Sequence, residues 1–514
     1  MTVNIELLER QRQQLQIELD GKKTQDERNV LGQFSTPNSL AIDVLTYAKN
    51  IFPELSKIRF LDPAFGTGSF YSALNSVFQE GCIEAATGYE IDEHYGNPAL
   101  KLWQDTELNY KIADFTKQVE PNEDEKYNLI ICNPPYVRHH HLKGQKDRLK
   151  LKSIKSANME LSGLAGLYCY FMAISHSWMK KDGVAGWLIP SEFMDVNYGA
   201  AVKNYLLKEV TLLQIHRFDP SDVQFDDALV SSAVVWFKNK KPNKFHNVKF
   251  TYGGSIAKPN CEKYVSSVVL STENKWTRFP LSEERVINNS PKLSDFFTVK
   301  RGIATGDNNY FVISREKIES LGLPIEHFRP ILPSPRYLKV TEVNIDENGF
   351  PDIENKLFVL DCKLPMERVK AEYPKLYEYL NEGIRCGVPN RYLCRNRKIW
   401  YSQESRSYSY FYCTYIGRTD KDGRKPFRFI LNNSTAIVSN SYLILYPKPD
   451  LNSEIEKSPQ LKNLILDALS QITGKAMLDE GRVYGGGMYK MEPKELANVP
   501  ATEISKLLSI TDHY

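Results

Sequence analysis

The chain has 514 residues, enough for two or three domains, and at 42% hydrophobic and 25% charged its composition is that of folded protein rather than a disordered or membrane-embedded chain. A formal net charge of +3 excludes a globally polycationic or polyanionic protein, so any charged partner must be met by local patches. The eight cysteines, at 82, 132, 169, 261, 362, 386, 394 and 413, form no CxxC pair, which points to free thiols in a reducing cytoplasm and away from a zinc site or a disulfide framework.

The opening "MTVNIELLERQRQQLQIELDGKK" has no apolar core of signal-peptide type. No stretch approaches the ~20 apolar residues of a membrane helix, so a cytoplasmic protein without a membrane partner is expected. Residues 4–20 read as a short polar helix. From there to about residue 240, apolar runs alternate with helical patterns. The expected strands are "KIRFLD" (57–62), "AATGYEID" (85–92), "NYKIAD" (109–114), "YNLIIC" (127–132), "GVAGWLIP" (183–190), "TLLQIHRF" (211–218) and "SSAVVWF" (231–237). Helical patterns fall near 38–50, 67–80, 93–104, 166–180 and 198–208. This alternation predicts an α/β fold with a doubly wound, mostly parallel, Rossmann-like sheet. The last two strands have no clear helix between them, so one of them is expected to run antiparallel.

Residues 237–250 are polar and basic and read as an exit. Residues 246–290 read as a linker or irregular β-structure. From 291 the texture changes to Tyr, Asn and Arg with short strands and Gly-rich turns, which predicts a separate mixed α+β domain over 291–514. The organisation expected is therefore a helical extension (1–30), an α/β domain (31–245), a linker (246–290) and a second domain.

"FLDPAFGTGSF" (60–70) is a strand running through a Gly-containing turn into a helix. Gly66 and Gly68 let the backbone turn tightly or approach a ligand. Asp62 ends the strand, where open α/β sheets bind ligands. The stretch is neither GxGxxG nor a P-loop, and an acid there suits a ligand with a positive group. Glu90 ends the next strand, 22 residues after Gly68. A carboxylate at that place accepts both hydroxyls of a ribose. Asp114 and Phe115 follow the third strand, an acid and a ring suited to an adenine.

The fourth strand ends abruptly in Asn133-Pro134-Pro135-Tyr136. A residue before proline is pushed into extended conformations, and here two consecutive residues precede one. The backbone is thereby stiff, and the Asn133 side-chain oxygen and the Pro134 carbonyl form a preset pair of acceptors. Such a pair suits a planar amine with two donors, with Tyr136 as a stacking surface.

On these residues the chain resembles S-adenosylmethionine-dependent DNA methyltransferases acting on the N6 amine of adenine. The likeness is greatest to the gamma class of bacterial type II restriction–modification systems. There a short motif precedes the Gly-rich turn, NPPY follows it, and a target-recognition domain comes last. The matching stretches are "GQFSTP" (32–37), "DPAFGTGSF", "GYEID", "IADF" (112–115), "NPPY", "FDDALVSSAVVWF" (225–237), "VKRGIATGDNNYFVI" (299–313) and "GRVYGGGMYKMEPKELANVP" (481–500). The resemblance implies that Thr36 and Pro37 close over the methionine end of the cofactor, with Asp62 and Gly66 lining the same end. Glu90 would take the ribose, and Asp114 with Phe115 the adenine. Asn133, Pro134, Pro135 and Tyr136 would hold the target base, with Phe225 stacking on its other face. The cofactor implied is S-adenosylmethionine, with no metal required. The partner implied is double-stranded DNA bound by a monomer, with room for a separately encoded cognate restriction endonuclease.

"RHHH" (138–141) is read as a basic cluster beside the target base, with Arg138 near phosphate, because adjacent histidines do not converge on one ion as i, i+4 pairs do. Residues 142–166 carry six Lys/Arg against two acids and are read as a mobile loop that orders on DNA. Residues 385–429 hold eleven Lys/Arg, three acids and ten aromatics, a composition suited to phosphates and bases, and Arg395, Arg397 and Lys398 are the candidate DNA contacts. Three other readings remain. NPPY enzymes that methylate RNA bases or a protein glutamine amide are usually shorter and lack such a C-terminal domain. A fused nuclease would not fit in the ~30 residues before "GQFSTP". An inactive DNA-binding protein would not need the intact cofactor and NPPY positions.

Overall fold

The apolar runs without alternation become the inner strands of one large sheet. The structure, a computed structural model, describes residues 4–52, 57–79, 81–142, 144–219, 231–281, 290–418, 426–484 and 488–511. Two compact units divide the chain, one over Met1–Arg285 with Tyr484–Gly486 and the other over Val286–Val483 with Gly487–Tyr514. No helix among the described residues is long and apolar enough to cross a membrane.

The first unit runs α1 (Ile5–Gly21), α2 (Gln25–Leu31), α3 (Asn38–Ile51), β1 (Ile58–Asp62), α4 (Ser69–Val77), β2 (Ile83–Glu90), α5 (Glu93–Trp103), β3 (Leu108–Ile112) and β4 (Tyr127–Cys132). It continues through α6 (Lys146–Ala157), α7 (Leu167–Ser175), β5 (Met179–Pro190), α8 (Ala200–Lys208), β6 (Thr211–Arg217), β7 (Ser232–Lys238), β8 (Asn247–Gly254), β9 (Pro259–Ser266) and α9 (Ser267–Thr272). The sheet order is β3-β2-β1-β4-β5-β7-β6-β8-β9. From β3 to β5 every neighbour is parallel. β7 runs antiparallel to both β5 and β6, as the missing helix between the last two predicted strands implied.

β4 explains why a central strand shows no alternation. Leu129 and Ile131 enter one core layer, and Ile130 and Cys132 enter the opposite one. All four are fully buried, and burial of each Leu or Ile contributes about 1.5–3 kcal/mol. α3 supplies Leu40, Ala41, Val44, Leu45 and Ala48 to one of these layers, the i, i+4 spacing of a helix with one apolar face.

Two expectations are corrected in this unit. Residues 246–290 are not a linker through most of their length. β8 pairs parallel with β6, β9 pairs antiparallel with β8, and the sheet therefore runs on to Ser266. A buried hydrogen bond of 2.9 Å from Gln214 to the Thr251 hydroxyl ties β6 to β8. The expected mobile loop over 142–166 holds the twelve-residue helix α6. Its Leu149, Ser153 and Ala157 lie four apart and are buried, and Asn158 closes it in the left-handed conformation at φ 50°. The Lys/Arg run disguised that spacing, and it does not face water throughout: Arg148 and Lys152 donate to the Thr116 carbonyl at 2.9 and 3.0 Å. The expected helical extension holds α1 and α2, and α1 packs along α4 and α5.

The second unit is mixed α+β. Five strands pair in the order Phe297–Arg301, Tyr442–Pro447, Phe411–Thr414, Phe429–Asn432 and Glu342–Val343, and the last pair is parallel. A three-stranded sheet holds Val312–Ser314, Leu357–Leu360 and Phe328–Ile331. Helices Pro449–Lys457 and Leu461–Gln471 pack on the five-stranded sheet through Leu451, Ile455, Leu461 and Ile465.

Candidate active site

The chain leaves β1 outward to β2 and β3, then returns to place β4 on the other side of β1. That reversal opens a crevice beyond the carboxyl ends of β1 and β4, the place where an open α/β sheet binds ligands. Asp62, Glu90, Asp114 and Asn133 all stand at or just past strand ends on this edge.

The turn after β1 is shaped by two glycines in the left-handed region, Gly66 at φ 56° and Gly68 at φ 97°. A Cβ on Gly68 would lie 2.7 Å from the Phe65 ring and from Trp103 Nε1, so the turn is packed tightly on that side. A Cβ on Gly66 would meet nothing within 4 Å, so the approach to the turn is open there. The Gly66 N–H donates to Glu90 Oε2 at 3.0 Å, and the Asp92 N–H donates to Glu90 Oε1 at 2.8 Å. Both carboxylate oxygens are thus aimed, with lone pairs left for a diol. Burial raises the Glu90 carboxyl, while the Asp92 and Gly66 N–H groups pull against it. Asp62 is 2% exposed and accepts one hydrogen bond, from the Ala64 N–H at 3.1 Å. Burial pushes its carboxyl up to about 8, and the Glu90 charge adds to the push. Two crowded, desolvated acids beside an open glycine are a set of groups that a cationic ligand would relieve.

Asn133 follows β4 with both amide hydrogens committed. Its Nδ2 donates to the Phe34 carbonyl at 2.9 Å and to the Thr36 hydroxyl at 3.1 Å. A carbonyl only accepts, so the contact with Phe34 fixes which end of the amide is which, and Oδ1 is turned away as an acceptor. Thr36 is itself held, because its carbonyl accepts from Ser69 Oγ at 3.0 Å. The Tyr136 N–H donates to the Gly32 carbonyl at 3.1 Å, and the Tyr136 hydroxyl donates to the Leu188 carbonyl at 3.1 Å. The ring is pinned at both ends, with the Phe34 ring 5.6 Å away and tilted. "GQFSTP" and "NPPY", about a hundred residues apart, are therefore one bonded unit.

The structure bonds Thr36 to Asn133 and Gly66 to Glu90, and it places Asp62 within reach of the Glu90 charge. Pro37 is exposed at the start of α3. Asp114 caps the turn after β3, its Oδ1 accepting from the Thr116 N–H at 2.9 Å and its Oδ2 lying 3.6 Å from Lys117 Nζ. Phe115 is corrected: its ring is 1% exposed and walled in by Tyr89, Phe171 and Trp178 at 4.9–5.7 Å between centroids, so it is core and presents no face to an adenine. Sequence reasoning missed Ile91, whose side chain is 66% exposed between Glu90 and Asp92, an apolar surface beside the acid at the end of β2. It also missed Gly32, at φ 64°, where a Cβ would lie 2.4 Å from the Tyr136 nitrogen. The signal for Gly32 was its place at the head of "GQFSTP". Phe225 lies outside the described residues. Arg138 is exposed beside His139–His141, whose neighbouring ring centroids lie 5.5 Å apart edge-to-face and 4.1 Å apart tilted.

In the second unit Arg395 and Lys398 are exposed. Arg397 is turned inward, donating from Nη2 to the Ala304 carbonyl at 2.6 Å and lying over the Phe311 ring. It braces "GIATGDNNYF", in which Asp307 pairs with Arg391 at 3.2 Å. Many of the aromatics counted in this stretch, such as Phe411, Tyr412 and Tyr415, are core, whereas Tyr392 is exposed.

Comparison with known proteins follows this geometry. The model of the "Eco57I restriction-modification methylase" family matches residues 67–224, and that of the "Type II methyltransferase M.Eco57I, C-terminal domain" matches residues 273–513. The chain is 27% identical to Type II methyltransferase M.AccI of Acinetobacter calcoaceticus, over 92% of this chain and 85% of that one. It is 22% identical to Type II methyltransferase M.XamI of Xanthomonas campestris pv. amaranthicola, over 93% and 86%. Among solved structures, the Type IIL restriction-modification enzyme MmeI in complex with DNA has a similar fold, with a TM-score of 0.51 at 14% identity over 93% of this chain and 72% of that one. The methylase and C-terminal models each match their own part of the chain, and with type II methyltransferases as relatives along nearly its whole length they support a type II restriction–modification DNA methyltransferase.

Proposed function

We propose that the chain is a gamma-class, adenine-specific DNA methyltransferase that transfers a methyl group from S-adenosylmethionine to the N6 amine of an adenine turned out of double-stranded DNA. The observation that carries this reading is the Asn133 amide, whose donors are consumed by Phe34 and Thr36 so that only its acceptor is left for a ligand. Beside it stands the Pro134 carbonyl, followed by a residue that has no N–H.

The cofactor fits the residues present. The open side of Gly66 gives room, Glu90 offers aimed lone pairs for ribose hydroxyls, Ile91 offers an apolar face for the adenine ring, and Asp62 suits the positively charged methionine end. Thr36, Pro37 and Asp114 complete the set. When bound, S-adenosylmethionine supplies a methyl group on a sulfonium that needs no further activation.

The protein's own task is then placement. The N6 lone pair is delocalised into the adenine ring and is a poor nucleophile. Acceptance of its two hydrogens by Asn133 Oδ1 and the Pro134 carbonyl favours the pyramidal form that develops in the transition state. Holding amine and donor in line is worth ~7–11 kcal/mol. Turning the base out of the duplex costs a few kcal/mol, offset by about 1–3 kcal/mol for stacking on Tyr136. Phe225 would add a second stacking face. Arg138, Arg395 and Lys398 would meet phosphates, and the methylation would protect host DNA from a separately encoded endonuclease.

Sequencing DNA from a host that expresses the chain, with a readout of modified bases and their context, tests the reading. N6-methyladenine confined to one short recognition sequence is expected. Unmodified host DNA alongside a soluble, cofactor-binding protein would overturn it.

A further inference from the structure

Two turns line the cofactor crevice, residues 63–68 after β1 and residues 91–92 after β2, and both are gripped by the segment that precedes "GQFSTP". On the first, the Thr67 hydroxyl donates to Gln16 Oε1 at 2.6 Å and accepts from Arg12 Nη1 at 3.2 Å, so α1 takes its one donor and one of its two acceptor positions. Arg12 is 2% exposed, and its other nitrogens grip Glu9 at 2.7 and 2.8 Å. A buried ion pair adds little stability over apolar packing of the same size. What this one adds is a fixed direction for Nη1.

On the second turn, Asp92 Oδ2 accepts from Gln33 Nε2 at 2.7 Å and from Lys23 Nζ. The Asp92 N–H is the donor that aims Glu90 Oε1, at 2.8 Å. Lys23 also donates to Gln33 Oε1 at 3.2 Å and lies over the Tyr95 ring at 5.0 Å. Its ammonium is the counter-charge to Asp92, which otherwise stands against Glu90 in a crevice that already holds Asp62. Among the described residues, other ionisable groups near these acids include Tyr95, whose hydroxyl donates to Asp20 Oδ1 at 2.8 Å, Tyr110, whose hydroxyl donates to the Gly66 carbonyl at 3.2 Å, and Cys132.

We infer that residues 5–23 form a clasp that sets cofactor affinity, with Arg12 and Gln16 as positioning residues for the Gly-rich turn and Lys23 as the positioning residue for Glu90. The inference rests on the S-adenosylmethionine reading above and deepens it. The clasp touches neither the amine acceptors nor the DNA-facing arginines, so it acts on cofactor retention and not on the transfer step.

The test uses the full chain and S-adenosylhomocysteine as probe, titrated by calorimetry from pH 6 to 9, with steady-state methylation of DNA beside it. Lys23→Ala is expected to weaken the probe by ~10-fold, the scale of one charge-assisted hydrogen bond. It should also move the pH dependence of binding upward, because the Asp92 charge then falls on Glu90. KM for S-adenosylmethionine should rise by a similar factor while kcat at saturating cofactor stays, and Lys23→Arg should restore both. Gln16→Leu, which leaves every charge in place, should speed probe dissociation several-fold without moving the pH profile. Wild-type affinity and pH profile in Lys23→Ala, or a fall in kcat with KM unchanged, would overturn the clasp. A Lys23→Ala chain that melts before it can be titrated passes the decision to Gln16→Leu, where an unchanged dissociation rate overturns it. Failure of the wild-type chain to bind the probe would instead overturn the cofactor reading, and the clasp with it.

Discussion

Asp62→Asn separates the stability of the fold from the function of the site. An aspartate in water titrates near ~3.9, and burial holds Asp62 up at about 8, a gap of about four units. Each unit is worth ~1.4 kcal/mol, so keeping this carboxylate ionised costs the fold at most about 5 kcal/mol. The sign follows from proton counts. Between pH ~4 and 8 the folded chain holds a proton that the unfolded chain has released, so the wild-type protein loses stability as pH rises through that window. Asparagine keeps Oδ1 for the Ala64 N–H and never ionises. Its amide hydrogens add a desolvation cost of ~1 kcal/mol, which leaves a net gain of about 2–4 kcal/mol above pH 8 and almost none near pH 4. For a unit of this size that is roughly 4–12 °C in melting temperature. Cofactor-free wild type and variant should therefore melt together at pH 4.5 and diverge towards pH 8.5, the variant higher. S-adenosylmethionine should bind the variant ~10–100-fold more weakly, the loss of one charged contact. A melting offset that is the same at every pH would refute the burial argument, and undiminished cofactor affinity would refute the role.

Asn133→Ala should abolish methyl transfer in a single-turnover assay while the cofactor dissociation constant changes less than ~3-fold, since the amide faces the amine and not the cofactor. Gly32→Ala forces a Cβ against the Tyr136 backbone from a left-handed position and should cost transfer activity ~100-fold or more, with DNA binding by gel shift largely kept. A fragment ending at residue 285 should fold and bind S-adenosylhomocysteine, whereas one ending at 245 strips β8 and β9 from β6 and should aggregate or melt far lower by circular dichroism. Arg395 and Lys398 changed together to Ala should flatten the salt dependence of DNA binding by a slope of about two, while Arg397→Ala should lower the melting temperature, because Arg397 is bonded to the Ala304 carbonyl.

Elements whose causes are local were legible in the sequence. All seven predicted strands lie in the first unit's sheet, and inner ones such as β4 and β7 were legible because burial on both faces writes an apolar run, whereas β3 at the edge alternates. The NPPY turn was legible for the same reason, since proline stiffens its neighbours wherever it stands. What stayed hidden depends on partners far along the chain. Arg397 and Arg395 give the same signal in a basic stretch, but the carbonyl that captures Arg397 is 93 residues away. Phe115 looks like a stacking ring until Tyr89 and Trp178 are seen to enclose it. Lys23 sits in a polar loop with nothing to mark it, because Asp92 lies 69 residues on. The helix α6 reads in sequence as a mobile loop because its buried positions are a Leu, a Ser and an Ala amid lysines, and two of its basic side chains bond inward rather than to water.

The most direct measurement of the central claim is nucleoside analysis by mass spectrometry after purified protein, isotopically labelled S-adenosylmethionine and unmodified duplex DNA are incubated together. The account predicts labelled N6-methyladenine as the product, absent when Asn133→Ala replaces the wild-type chain. Labelled N4-methylcytosine would contradict the choice of base, and the absence of any labelled nucleoside would contradict the assignment of Asn133 and Pro134 as acceptors for a reacting amine.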